Sequence, residues 1–89
     1  MAWKIELDPA AVRALDKLDP QIARRILLFL HGRVAPLTDP RSIGEALAGN
    51  KLGNYWKYRV GDYRIIAEIE DKLVRISVIK IGNRREVYR

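Results

Sequence analysis

The sequence predicts an α+β domain in the order β-α-α-β-β-β, an antiparallel sheet with two N-terminal helices packed on one face. Three observations predict it. Two Asp-Pro pairs each open a stretch whose apolar residues recur at helical spacing. A period-two segment precedes them. Three more period-two segments follow, separated by turn-forming pairs. The 89 residues suffice for one domain with one modest core, residues 1–89.

Each element has its own warrant. Trp3, Ile5 and Leu7 alternate with Lys4 and Glu6, the pattern of a strand with one buried face. Asp8-Pro9 supplies a helix cap followed by proline at the first helical position. Ala11, Ala14, Leu15 and Leu18 then fall on one helical face. Asp19-Pro20 repeats the signal, so the first helix ends near Leu18 and the second begins at once. Ile22, Ile26, Phe29 and Leu30 form the stripe of the second helix. Leu27 and Leu28 widen it, which predicts a helix covered on more than one side. Gly32 and Pro36 end it. Residues 36–54 read as a loop with one helical turn over 42–48. Tyr55–Val60 and Tyr63–Glu70 are predicted strands joined at Gly61-Asp62, and a turn at Asp71-Lys72 leads into a strand over 73–81.

Composition narrows the function classes. The chain has no cysteine, so neither a disulfide nor a thiol nucleophile is available, and one histidine excludes a multi-histidine metal site. The N-terminal segment lacks the apolar stretch of a secretion signal, and a cytoplasmic location is expected. The net charge of +6 is uneven. Residues 1–50 hold seven basic and six acidic residues, and residues 51–89 hold ten and five. An excess confined to one half predicts a polyanion-binding surface there.

Period two sorts the strand residues. Trp56, Tyr58 and Val60 suit the core, and Tyr55, Lys57 and Arg59 share the opposite face. In the next strand Arg64 projects away from Tyr63 and Ile65. The residues after the last strand, Asn83 to Arg89, can fold back over the sheet. Lys57, Arg59, Arg64, Arg84 and Tyr88 are therefore expected to converge on one shallow concavity. Guanidinium groups bind phosphate oxygens in pairs and an aromatic ring stacks on an unpaired base, so the set suits single-stranded RNA. His31 reads as a helix-end residue favoured by the dipole, Trp3 and Trp56 as core, and Arg24 and Arg25 as a solvated helix face.

Residues 56–66, WKYRVGDYRII, and 79–88, IKIGNRREVY, resemble the signature segments of the RelE/ParE toxin superfamily. The Asp-Pro helix pair and the 40–52 stretch match the same layout. The resemblance implies a RelE-like fold and a toxin that cuts mRNA in the ribosomal decoding site. It implies a RelB-like antitoxin as partner, with the ribosome and mRNA as targets, operator DNA met only through the antitoxin complex, and no membrane. It implies that Arg64 stabilises the scissile phosphate, with Lys57, Arg59, Arg84 and Tyr88 completing the catalytic set. Tyr55, Asn83, Arg85 and Lys51 are flanking RNA-contact candidates. Tyr55 replaces a lysine of some members, and Asn83 replaces a histidine or lysine. Asparagine does not exchange protons near neutral pH, so acid–base work falls to other groups or the activity is weakened. The implied reaction is attack of a 2′-hydroxyl on the adjacent phosphate, which requires no metal or other cofactor. Lys57 and Tyr88 are both open as the base. Two other readings share the fold: a ParE-like gyrase poison, and an RNA-binding homologue with weakened catalysis. The broad apolar surface of the second helix fits part of an antitoxin groove.

Overall fold

Both Asp-Pro pairs act as helix starts. The computed structural model describes residues 2–47 and 54–87. In it Asp8 caps α1 (Pro9–Lys17), its carboxylate accepting from the Ala10 N–H at 3.3 Å. Asp19 caps α2 (Pro20–Phe29) through the Gln21 N–H at 2.9 Å. Proline follows each cap, where its missing N–H leaves no helical bond unmade. α2 widens into a final turn, Leu30–Val34, closed by the Ala35 N–H donating to the Leu30 carbonyl at 2.9 Å.

The strands are β1 (Lys4–Leu7), β2 (Glu45–Ala46), β3 (Tyr55–Val60), β4 (Tyr63–Glu70) and β5 (Arg75–Asn83), in the spatial order β1-β5-β4-β3-β2. The last three form the predicted antiparallel meander. β1 differs: it pairs parallel to β5, Lys4 opposite Arg75 and Leu7 opposite Val78, so the sheet is mixed. Alternation shows that a strand has two faces but not which partner it joins. The helix pair after β1 supplies the crossover that parallel pairing requires.

Three further differences have local causes. The helical turn expected over 42–48 is instead a single tight turn, Pro40–Ser42, capped by Asp39, and then β2. Glu45 and Ala46 pair with Lys57 and Trp56, and that ladder takes precedence over helix propensity. The Asp71-Lys72 connection is a three-residue turn, Asp71–Leu73, followed by Val74 at φ 48°, which delays β5 to Arg75. Leu28, expected to be covered, is 65% exposed. The helix presents one face to the sheet, and Leu28 points off it.

Ala11, Leu15, Ile26, Leu30 and Val34 of the helical layer meet Tyr58, Val60, Ile65, Ala67, Ile76, Val78 and Ile81 of the sheet. β5 holds this phase with a bulge. Ile66 pairs with Lys80 and Ala67 with Val78, leaving Ile79 as an extra residue. Unbroken alternation would turn Lys80 into the core. The bulge lets Ile81 face inward, Lys80 face solvent, and Gly82 lie beside Arg64. Among the described residues no helix is long and apolar enough to cross a membrane.

Candidate functional site

The helices cover one face of the sheet, and the other carries the charge. Arg59 of β3 stands directly opposite Arg64 of β4. Like charges facing each other across strands destabilise a sheet, so the fold itself gains nothing from this pair. On the other side of Arg64 the register partner is Gly82, which contributes no side chain and leaves a hollow above the strands. Gly44, Glu45, Lys57, Tyr58, Arg59, Arg64, Arg84 and Arg85 line this hollow, whose volume is about 470 Å³. That lies inside the roughly 300–1,000 Å³ range of small-molecule sites.

Local structure positions each cation. The Arg64 guanidinium donates from Nη1 to the carbonyls of Gly61 and Tyr63, both at 3.1 Å, which aims it along the β3–β4 turn. That turn requires Gly61 at φ 58°. The segment after β5 is tied to the same turn, the Arg84 N–H donating to the Asp62 carbonyl at 2.9 Å. Val87, 5% exposed, anchors this segment against Gly82. Asn83 shapes it: its carbonyl accepts from the N–H groups of Glu86 and Val87, and its side-chain oxygen accepts from the Arg85 N–H at 3.0 Å.

Glu45 is the one carboxylate among the described lining residues, and sequence reasoning passed over it. Its Oε2 lies 3.7 Å from the Lys57 Nζ. The preceding segment is sewn to β3. The Trp56 indole N–H donates to the Ile43 carbonyl at 2.7 Å, and the Tyr58 hydroxyl to the Pro40 carbonyl at 2.7 Å. Burial pushes the Tyr58 phenol well above its ordinary range, so it remains a donor. Gly44, at φ 80°, lies so close that a Cβ would meet the Lys57 carbonyl at 2.5 Å. Arg41 forks onto both Asp71 oxygens at 2.9 and 3.0 Å and holds that carboxyl below the usual carboxylate range. The available signal was Glu45 itself, the lone acid between Asp39 and Asp62.

Lys57, Arg59, Arg64 and Arg84 thus line one hollow, and Arg85, expected only as a flanking contact, lines it with them. Tyr55 shares their face but sits further along β3, opposite Glu68, 39% exposed and away from the lining. Asn83 lies apart from the hollow. It lines a different groove, with Arg13 and Lys17 of α1, because its side chain is spent capping the turn that presents Arg84 and Arg85. Lys51 and Tyr88 lie outside the described residues. The far end of the same face is acidic: Arg75 binds Glu70 and lies 3.5 Å from Glu6. The Arg75 contact holds the Glu70 carboxyl below its ordinary range. A polyanion therefore meets stronger attraction at the hollow than at this ion-paired end.

Comparisons with known proteins bear on the family and the fold. A sequence model described as "ParE toxin of type II toxin-antitoxin system, parDE" matches residues 5–88. Toxin RelE of Mycobacterium tuberculosis is 31% identical over 98% of this chain and 87% of its own. Toxin RelG of the same organism is 26% identical over 100% of this chain and 99% of its own. Among solved structures, the RelBE2 toxin–antitoxin complex of Mycobacterium tuberculosis superposes with a TM-score of 0.81 at 23% identity, covering 97% of this chain and 95% of the other. The archaeal RelE–RelB complex of Pyrococcus horikoshii gives 0.68 at 25% identity, covering 97% and 99%.

Proposed function

Because the chain belongs to the RelE/ParE superfamily of type II toxin–antitoxin toxins, we propose that it is a ribosome-dependent endoribonuclease that cleaves mRNA and is silenced by a RelB-like antitoxin. The observation that carries this reading is the hollow itself. Lys57, Arg59, Arg64 and Arg84 line one hollow together with a single carboxylate, at the cost of an Arg59–Arg64 repulsion that the fold does not need.

The chemistry follows from the groups present. The 2′-hydroxyl gives up its proton and its oxygen attacks the neighbouring phosphorus, the P–O5′ bond breaks, and the departing 5′-oxygen takes a proton from water, so that a 2′,3′-cyclic phosphate and a 5′-hydroxyl result. The negative charge on the pentacoordinate phosphorus grows as the bond forms. Arg64, its guanidinium held by two backbone carbonyls, and Arg84, whose backbone N–H ties its segment to the Asp62 carbonyl, are the donors for that charge. Guanidinium groups keep their protons at any working pH and cannot act as base. Glu45 is the described lining group suited to take the 2′-hydroxyl proton, and Lys57 orients it. Arg59 binds an adjacent phosphate. Tyr88 is assigned a stacking or proton-transfer role on family resemblance. The positive charge fits an acidic antitoxin, and action on mRNA fits a cytoplasmic location.

The test is primer extension on mRNA in a translation extract. The purified protein is expected to produce discrete cuts only when ribosomes are present. Arg64→Ala should slow cleavage by about 10²–10³. A second reading has a specific observation behind it, since the matching family model is described as ParE. Under that reading the protein poisons gyrase. Induction would then raise the DNA-damage response, leave mRNA intact, and be indifferent to Arg64→Ala.

A further inference from the structure

Arg59 lines two depressions. One is the hollow. The other lies beyond the edge of β3, against α2, and is formed by Arg25, Leu28, Phe29, Arg33, Arg59 and the Gly61 turn. Arg59 is the residue they share, and the outer strand β2 is short. It pairs with Trp56 and Lys57 only, so among the described residues β3 has no outer strand beside Arg59. The Arg59 side chain can therefore reach over an open edge.

We infer that this second groove is a phosphate-binding extension of the RNA site, carrying the single strand away from the hollow across Arg59 and onto Arg25 and Arg33. The inference rests on the nuclease reading and adds a path for the flanking RNA. Arg25 lies tight against the turn: its Nη1 is 3.4 Å from where a Gly61 Cβ would stand, so the missing side chain admits the guanidinium. Two arginines outside the groove are matched, Arg41 with Asp71 and Arg75 with Glu70 and Glu6, while Arg64, Arg84 and Arg85 of the hollow form no ion pair among the described residues. Arg25, Arg33 and Arg59 have no carboxylate within ion-pair distance among the described residues. Three guanidinium groups around one depression repel each other until a polyanion enters. Leu28, 65% exposed, and Phe29 offer an apolar surface for a ribose or base. RNA is the favoured occupant because Arg59 belongs to both depressions. A strand seated in the hollow reaches the groove without leaving the protein.

The probes are fluorescent 2′-O-methyl oligonucleotides of four and ten nucleotides, which lack the attacking hydroxyl and stay uncut. Binding is followed by anisotropy from 50 to 200 mM KCl. Each phosphate contact on a single strand contributes about 0.7 to the slope of log affinity against log salt. Arg25→Ala/Arg33→Ala should lower the ten-mer slope by about 1.4, and its affinity by on the order of tenfold at 0.1 M salt. The four-mer should be unaffected. Arg25→Lys/Arg33→Lys should restore the slope. Equal losses for both oligonucleotides, or an unchanged ten-mer, would overturn the groove. So would a wild type that binds neither. Loss of antitoxin binding with both RNA slopes intact would assign the groove to an acidic protein and also overturn it. The nuclease reading fails separately, if wild type makes no ribosome-dependent cuts.

Discussion

Glu45 and Asp71 are both carboxylates paired with a base, yet they make opposite predictions. Glu45 stands in the hollow with Lys57. Glu45→Gln should lower the cleavage rate by about 10²–10⁴. It should leave binding of an uncuttable RNA unchanged or tighter, because a negative charge leaves a cationic site. Single-turnover kinetics beside anisotropy separates the two effects. Asp71 serves stability. Arg41 depresses its acidity range, so the contribution is complete above the unfolded carboxylate range of about 4 and disappears as pH falls through the lower folded range. The pair is exposed, and its worth near neutral pH is at most about 1 kcal/mol. Asp71→Asn should lower the melting temperature slightly at pH 7, and the gap from wild type should narrow as pH falls below the ordinary carboxylate range. Single residues were legible where chemistry is local. Alternation alone assigned Lys57, Arg59 and Arg64 to one face. Glu45 and Asn83 were not legible, because their roles depend on a strand pairing and a turn that no periodicity announces.

The elements divide in the same way. Caps are local, so both helices start where Asp-Pro puts them. The Gly61-Asp62 turn is local too, and it fixed the β3–β4 register that sets Arg59 against Arg64. The bulge at Ile79 is a response to the core, and the run of Val78 and Ile79 merely permits it. The segment from Asn83 to Val87 is held by few contacts, of which buried Val87 is the central one. Val87→Ala removes two methyl groups, about 1.5 kcal/mol of burial. Amide hydrogen exchange should accelerate at Arg84, Glu86 and Val87 while β4 amides keep their protection. Cleavage should fall further than the melting temperature suggests, because Arg84 loses its aim.

Across the whole molecule, the charge imbalance visible in the sequence became a polarity within one sheet face, cationic around Arg64 and acidic around Glu70. The parallel pairing of β1 was not visible, since direction is decided by the crossover rather than by the strand. β1 also tethers the layers: the Trp3 N–H donates to the Ala35 carbonyl at 2.7 Å and the Asp8 N–H to the Val78 carbonyl at 2.8 Å. Deleting residues 1–7 should therefore abolish cooperative thermal melting rather than merely lower its midpoint, as calorimetry would report. The same adjacency orders events during synthesis. The strand translated first waits for the strand translated last among the five, and the segment bearing Arg84 emerges later still. For a toxin whose proposed target is the translating ribosome, the nascent chain has no assembled cationic hollow while the sheet is unfinished, so the machine that builds it is spared until the work is done.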